Sequence, residues 1–175
     1  DVVAALDKVL KPSVILLRND IASRQTEGLE QVIEEAKGTV PERTVVIEGG
    51  ARFEVSLTEG QKTGWFYDQA ANRDRLMKYV AGKRVLDVCS YVGAWGIRAA
   101  LGGAESVTCV DVSAKALEQV EANAALNGVA DKVRIAQGDA FVTLKALRQA
   151  GEHFDVIVVD PPAFIKRKKD MKEGT

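Results

Sequence analysis

The chain has 175 residues, close to the roughly 150 of one domain, so it can bury a core but is short for a large enzyme. A composition of 46% hydrophobic, 28% charged and 6% aromatic residues excludes disordered, collagenous and fibrous classes. With 24 Lys and Arg against 25 Asp and Glu the formal charge is −1, so there is no global basic field and any nucleic-acid contact must come from local patches.

No apolar run approaches the roughly 18 residues of a membrane span. The start, Asp1-Val2-Val3-Ala4-Ala5-Leu6, lacks the basic leader and apolar length of a signal peptide, so a cytoplasmic protein without a membrane partner is expected. A first residue other than Met and a stop at Thr175 predict a fragment.

In chain order, Val14-Ile15-Leu16-Leu17 predicts a short strand. Leu29, Val32, Ile33 and Ala36 recur at helical spacing and stop at Gly38, which predicts a helix. Thr44 to Ile47 and Phe53 to Leu57 flank Gly49-Gly50, the turn chemistry of a hairpin. These elements predict a small α+β domain over residues 1–58. It carries seven Lys and Arg against ten Asp and Glu, so it is no evident clamp for RNA.

Residues 59–175 follow a βα alternation. A helix is predicted from Gln69 to Val80, then a strand over Arg84–Val88 and a helix from Ala94 to Leu101 stopped by Gly102-Gly103. A strand from Ser106 to Val110 follows, and then a helix with Ser113 as N-cap and Ala116, Leu117, Val120 and Ala124 on one face. Val133 to Ala136 is the third strand, Phe141, Leu144 and Leu147 mark a helix, and Phe154 to Val159 is the fourth strand. Apolar strands between amphipathic helices predict an α/β fold, a Rossmann-like parallel sheet covered on both faces.

Ligands of such sheets lie beyond the strand carboxyl ends, where strand order reverses. All four predicted ends carry an acid: Asp87, Asp111, Asp139 and Asp160. A dinucleotide needs Gly-x-Gly-x-x-Gly so that its pyrophosphate can approach backbone N–H groups. Here only Gly93-x-x-Gly96 is present, with the bulky Tyr91 in the leading position. A phosphate-free cofactor fits better. Asp111 is placed to accept vicinal ribose hydroxyls, Asp139 an adenine amine, and Asp87 or Asp160 to face an ammonium or sulfonium. Ribose, adenine and a positive charge without phosphate describe S-adenosylmethionine. Taken alone, Asp111 could equally cap the next helix beside Ser113.

Three blocks carry a more specific likeness: Gly60 to Arg73 (GQKTGWFYDQAANR), Val85 to Gly96 (VLDVCSYVGAWG) and Asp160-Pro161-Pro162-Ala163-Phe164. Together they resemble the class I methyltransferases that modify C5 of a cytosine in large-subunit ribosomal RNA. The resemblance implies a cofactor set of Phe66, Asp68, Gln69, Arg73, Asp87, Cys89, Ser90, Tyr91, Gly93, Gly96, Asp111, Val112, Ser113, Asp139, Ala140 and Asp160. It gives Asp160 a role in positioning substrate and methyl group and makes Pro161, Pro162 and Phe164 substrate contacts; Lys166 and Arg167, in the basic run that directly follows this loop, are read as phosphate contacts beside the target base. Lys166-Arg167-Lys168-Lys169 is otherwise read as a solvated tail. Ala70 stands where the family usually has Arg. The resemblance also implies a PUA-type domain before Asp1 and further strands after Thr175, so this fragment alone is expected to be inactive.

Cytosine C5 is a poor nucleophile until a cysteine attacks C6. By resemblance that cysteine lies beyond Thr175. Cys89 and Cys109 are expected to be reduced core residues, and His153 a solvated loop residue with no metal site near it. The expected partner is large-subunit ribosomal RNA, with no metal; a homodimer is an open option. Competing readings are an amino-group methyltransferase of the same fold, an NAD-linked oxidoreductase and a non-catalytic RNA-binding fragment.

Overall fold

A computed structural model of the protein describes residues 2–21, 23–58 and 64–161. These fall into two compact units, Asp1–Thr44 with Val55–Phe66, and Val45–Glu54 with Tyr67–Thr175.

The first unit opens with helix α1 (Val2–Leu10), which the sequence reading did not anticipate, followed by β1 (Ile15–Asn19), the short α2 (Ser23–Thr26) and β2 (Val32–Lys37). β1 and β2 pair antiparallel, with an irregularity between Ile15 and Leu16. Lys37 ties the end of β2 to α1 through Asp7 at 2.5 Å, and Arg18 donates to Asp20 and to the Leu57 carbonyl. The helix predicted over Leu29 to Ala36 is therefore corrected to a strand. Four apolar residues at helical spacing were outweighed by the β-branched pair Val32-Ile33 and an available partner strand, since strand preference is set by what lies alongside.

The second unit holds most of the hairpin of β3 (Thr44–Glu48) and β4 (Ala51–Val55), turned by Gly49 and Gly50, both at positive φ. It continues with a 3-10 turn at Tyr67–Gln69, α3 (Ala70–Leu76), β5 (Arg84–Val88), α4 (Ala94–Leu101), β6 (Ser106–Asp111), α5 (Ala114–Leu126), β7 (Val133–Gln137), α6 (Ala140–Gln149) and β8 (Val156–Val159). The last four strands form one parallel sheet in the order β7-β6-β5-β8. This is the predicted Rossmann-like α/β arrangement.

Two side-chain amides join the hairpin to the rest of this unit. Asn123 on α5, fully buried, accepts from the Glu54 N–H at 2.8 Å and donates to the carbonyls of Glu54 and Val92. Asn127 does the same for Arg52, accepting at 2.9 Å and donating at 2.6 Å. An amide supplies one acceptor and two donors, so each asparagine mimics a neighbouring strand for β4.

The sheet separates its two faces by alternation. Leu86, Val88 and Val110 pack toward Ala140, Leu144 and Leu147 of α6. On the α4 side Gly96 lies directly on the sheet: a Cβ there would stand 2.6 Å from Cys109 Sγ, 3.0 Å from Val107 Cγ1 and 3.2 Å from Asp87 Oδ2. Alanine improves helix propensity by up to ~1 kcal/mol, but overpacking against short core side chains costs ~1–3 kcal/mol. Gly96→Ala is therefore expected to lose stability by about 1 kcal/mol or more, read as a lower urea midpoint. Among the described residues no helix is long and apolar enough to cross a membrane.

Candidate functional site

Strand order reverses beside β5, which has β6 on one side and β8 on the other. The carboxyl ends of these strands mark the crevice where such sheets bind ligands. After β5 the backbone turns sharply: Cys89, Tyr91 and Gly93 have φ of 64, 50 and 83°. The left-handed region costs a residue with a Cβ roughly 1–2 kcal/mol, so two such residues in a row of three require compensation. It comes from hydrogen bonds. Ser90 N–H donates to the Val110 carbonyl at 3.0 Å, Gly93 N–H to the Ser90 carbonyl at 2.9 Å, and Tyr91 N–H to Asp111 Oδ2 at 2.9 Å.

Asp111 thus holds two loops. Its Oδ1 accepts from Ser113 N–H at 2.9 Å, while the Ser113 hydroxyl caps α5 by accepting from Ala116 N–H. A carboxylate offers about four acceptor directions, so two remain for a ligand. Val112, between these residues, is 71% exposed. Asp139 is the N-cap of α6, its Oδ1 accepting from Phe141 and Val142 N–H at 3.0 and 3.1 Å. The sequence reading had not given it that task. Ala140 packs against the sheet core, and the two exposed apolar residues after it, Phe141 and Val142, were not singled out from sequence.

Asp87 is fully buried. Its Oδ2 accepts from Gly96 N–H at 2.9 Å, and its Oδ1 has no hydrogen-bond partner among the described residues. Burial, with smaller contributions from Asp160 and Asp111, pushes this carboxyl up to about 7. The Cys89 thiol is also raised, by burial first and then by Asp111, Asp87, Asp160 and Asp139. Cys109 is raised further, by burial and Asp87. Neither is set up as a thiolate nucleophile.

Asp160 follows β8, with its N–H directed at the Val88 carbonyl at 3.4 Å and its Oδ2 accepting from Trp95 Nε1 at 3.1 Å. Arg73, expected at the cofactor, is 2% exposed and its guanidinium is paired with Glu48 through two bonds of 2.6 and 2.7 Å. The same guanidinium lies 5.7 Å from the Trp95 ring centroid. Arg98, also buried, shares Glu48 and reaches Asp74. Gln69 Oε1 accepts from Asn72, and Asp68 is exposed on the 3-10 turn. Phe66 is half-buried in the first unit. Pro161 is exposed, and Pro162, Phe164, Lys166 and Arg167 lie outside the described residues.

The structure therefore brings Asp87, Ser90, Tyr91, Gly93, Gly96, Asp111, Val112, Ser113 and Asp160 to one end of the sheet. A mouth lined by carboxylates repels phosphate and suits a cationic ligand with hydroxyl donors. The buried Asp87 Oδ1, without a hydrogen-bond partner among the described residues, is an acceptor for a cationic group, and Tyr91 stands in the leading position where a pyrophosphate-binding turn has glycine.

Comparison with known proteins gives the same direction. Residues 26–172 match a family described as S-adenosylmethionine-dependent methyltransferase. The chain is 42% identical over 156 residues to ribosomal RNA large subunit methyltransferase I of Aeromonas salmonicida, covering 88% of this chain and 39% of that protein. It is 38% identical over 172 residues to the protein of the same name in Klebsiella pneumoniae, covering 97% and 43%. The chain thus spans about two fifths of these relatives' lengths. Among solved structures it is similar to a SAM-dependent methyltransferase from Agrobacterium tumefaciens, with a TM-score of 0.74, 26% identity, and coverage of 90% of this chain and 50% of that one. It is also similar to SMU.776, assigned as a methyltransferase and solved with SAH, with a TM-score of 0.71, 33% identity, and coverage of 79% and 37%.

Proposed function

The chain belongs to the S-adenosylmethionine-dependent methyltransferase family, and on that premise we propose that the whole protein methylates large-subunit ribosomal RNA, at C5 of a cytosine. The observation that carries the cofactor assignment is the convergence of Asp87, Asp111 and Asp160 at the switch point of the sheet, beside a turn that has Tyr91 where a dinucleotide-binding turn has its leading glycine. Asp111, already oriented by two backbone N–H groups, holds the ribose hydroxyls. Val112 and Phe141 supply exposed apolar surface for the adenine, and Asp87 and Asp160 face the cationic end. When bound, S-adenosylmethionine supplies an electrophilic methyl group for in-line displacement, so the contribution of these residues is placement and charge. The ribosomal RNA substrate is carried over from the named relatives, and the C5 position from the sequence resemblance.

Each remaining acceptor on Asp111 can make a charge-assisted hydrogen bond, worth about 1.5–3 kcal/mol. Asp111→Ala is expected to weaken S-adenosylhomocysteine binding by at least roughly tenfold, measured calorimetrically on folded protein. Unchanged affinity would remove Asp111 from the cofactor site. Calorimetry with NADH tests the fold's other common cofactor: binding of NADH without S-adenosylhomocysteine would overturn the assignment.

A second reading of the same fold is methylation of an exocyclic base amine, which needs no cysteine nucleophile; the Asp160-Pro161-Pro162 sequence followed by the aromatic Phe164 is the feature that favours it. Nucleoside analysis of ribosomal RNA treated with the full-length protein separates the two. A 5-methylcytidine product supports the C5 proposal, and an N-methylated base supports the amine reading.

A further inference from the structure

We propose that Glu48, in the β3–β4 hairpin, is a positioning residue that fixes the Asp160 carboxylate through Arg73 and Trp95. The inference rests on the reading of Asp160 as a site residue, and adds an element the sequence motifs do not include.

The contacts are consecutive. Glu48 binds Arg73 with both carboxylate oxygens, at 2.6 and 2.7 Å. A fork of two parallel bonds fixes the plane of a guanidinium as well as its position. That guanidinium lies 5.7 Å from the Trp95 ring centroid, within reach of the ring's negative face. The indole Nε1 then donates to Asp160 Oδ2 at 3.1 Å. Asp160 is exposed and follows β8 directly, so Trp95 is its one side-chain tether among the contacts described.

The ends of the relay differ in rigidity. Glu48 and both its arginines are largely buried, with side chains 11%, 2% and 4% exposed. Arg73 and Arg98 compete for Glu48 Oε1, and Arg98 is further held by Asp74. A stiff buried anchor thus ends in a single bond at a solvent-facing carboxylate. Supporting residues arranged in this way set the aim of a reacting or binding group without touching its ligand.

The test reads the Trp95 indole N–H in a 15N–1H spectrum of the 175-residue protein. The sequence has two tryptophans, and the peak lost in Trp95→Phe identifies the resonance. Asp160→Asn is expected to move that peak upfield as the charged acceptor is lost, and Glu48→Gln to move it in the same direction. Asp74→Asn, which disturbs the same buried cluster on the Arg98 side, is expected to leave it in place. If Glu48→Gln does not fold, Glu48→Asp keeps the charge but shortens the reach to Arg73, and an upfield shift is again expected. An indole peak that moves with Asp160→Asn but not with the Glu48 variants overturns the proposal, as does one that Asp160→Asn leaves unmoved. In the full-length protein Glu48→Gln is expected to lower kcat on ribosomal RNA roughly tenfold with little change in KM, the pattern of lost aim. Wild-type protein without activity on ribosomal RNA would defeat the substrate proposal, while the indole shifts would still decide the relay.

Discussion

Raising the pH from about 4 to about 7 is expected to destabilise the ligand-free protein by up to roughly 4 kcal/mol through Asp87 alone. The carboxyl titrates near 3.8 when unfolded and near 7 when folded. Between those values the folded state binds more protons than the unfolded one, so stability falls as pH rises. Above about 7 both states are ionised and the slope vanishes. Burial is the main cause, aided by Asp160 and Asp111; Arg73 and the Gly96 N–H oppose it. The measurement is urea unfolding of wild type and Asp87→Asn at a series of pH values. The variant is expected to gain on the wild type by about 1.4 kcal/mol per pH unit across that window. Asp20, held below its usual range by Arg18, has the opposite slope and cancels in the comparison. Parallel curves would show that Asp87 is not held protonated.

The second large effect is expected from Glu48→Ala. Removing one partner from a buried ion pair typically costs ~3–5 kcal/mol, because the other charge stays behind. Here Arg73 and Arg98 both lose their shared carboxylate, and Arg98 keeps only Asp74, which is 65% exposed. Exposed Asp74 is a weak substitute, so a loss at the upper part of that range is expected in denaturant unfolding. Asp74→Ala should cost much less, as exposed partners usually do. Equal losses would mean that Glu48 does not anchor the cluster.

The parallel sheet is legible in the sequence because its signals are local and agree with one another. Arg84–Val88 and Ala94–Leu101 occur where the apolar runs and glycines place them, and Ser113 caps α5 as its residue type predicts. The four acids are readable as strand-end residues for the same reason. What was not legible depends on partners distant in the chain. β2 reads as a helix until β1 lies beside it. Glu48 looks like an ordinary polar residue before a glycine turn, since nothing near it signals Arg73 or Arg98. Asp139 has a local signal, an acid just before a helix, but its capping role emerges only with the first turn of α6. Strained Cys89 and Tyr91 are invisible in composition, because their conformation is held by Val110 and Asp111 across the sheet.

The strand order has a consequence for the time at which the site comes into being. β5, β6 and β7 emerge in sequence and pair as neighbours, whereas β8 is made after all three and must add to the far side of β5, matching Val85 with Val156 and Val88 with Val159. Closing so long a stretch of chain is slow compared with local pairing. During synthesis, a nascent chain that already holds Asp87 and Asp111 in a folded three-strand core still lacks Asp160. Assembly of Asp160 with the other two acids is therefore tied to β8, and a ligand that contacts both sides of β5 would act as a clasp on the docking of that strand.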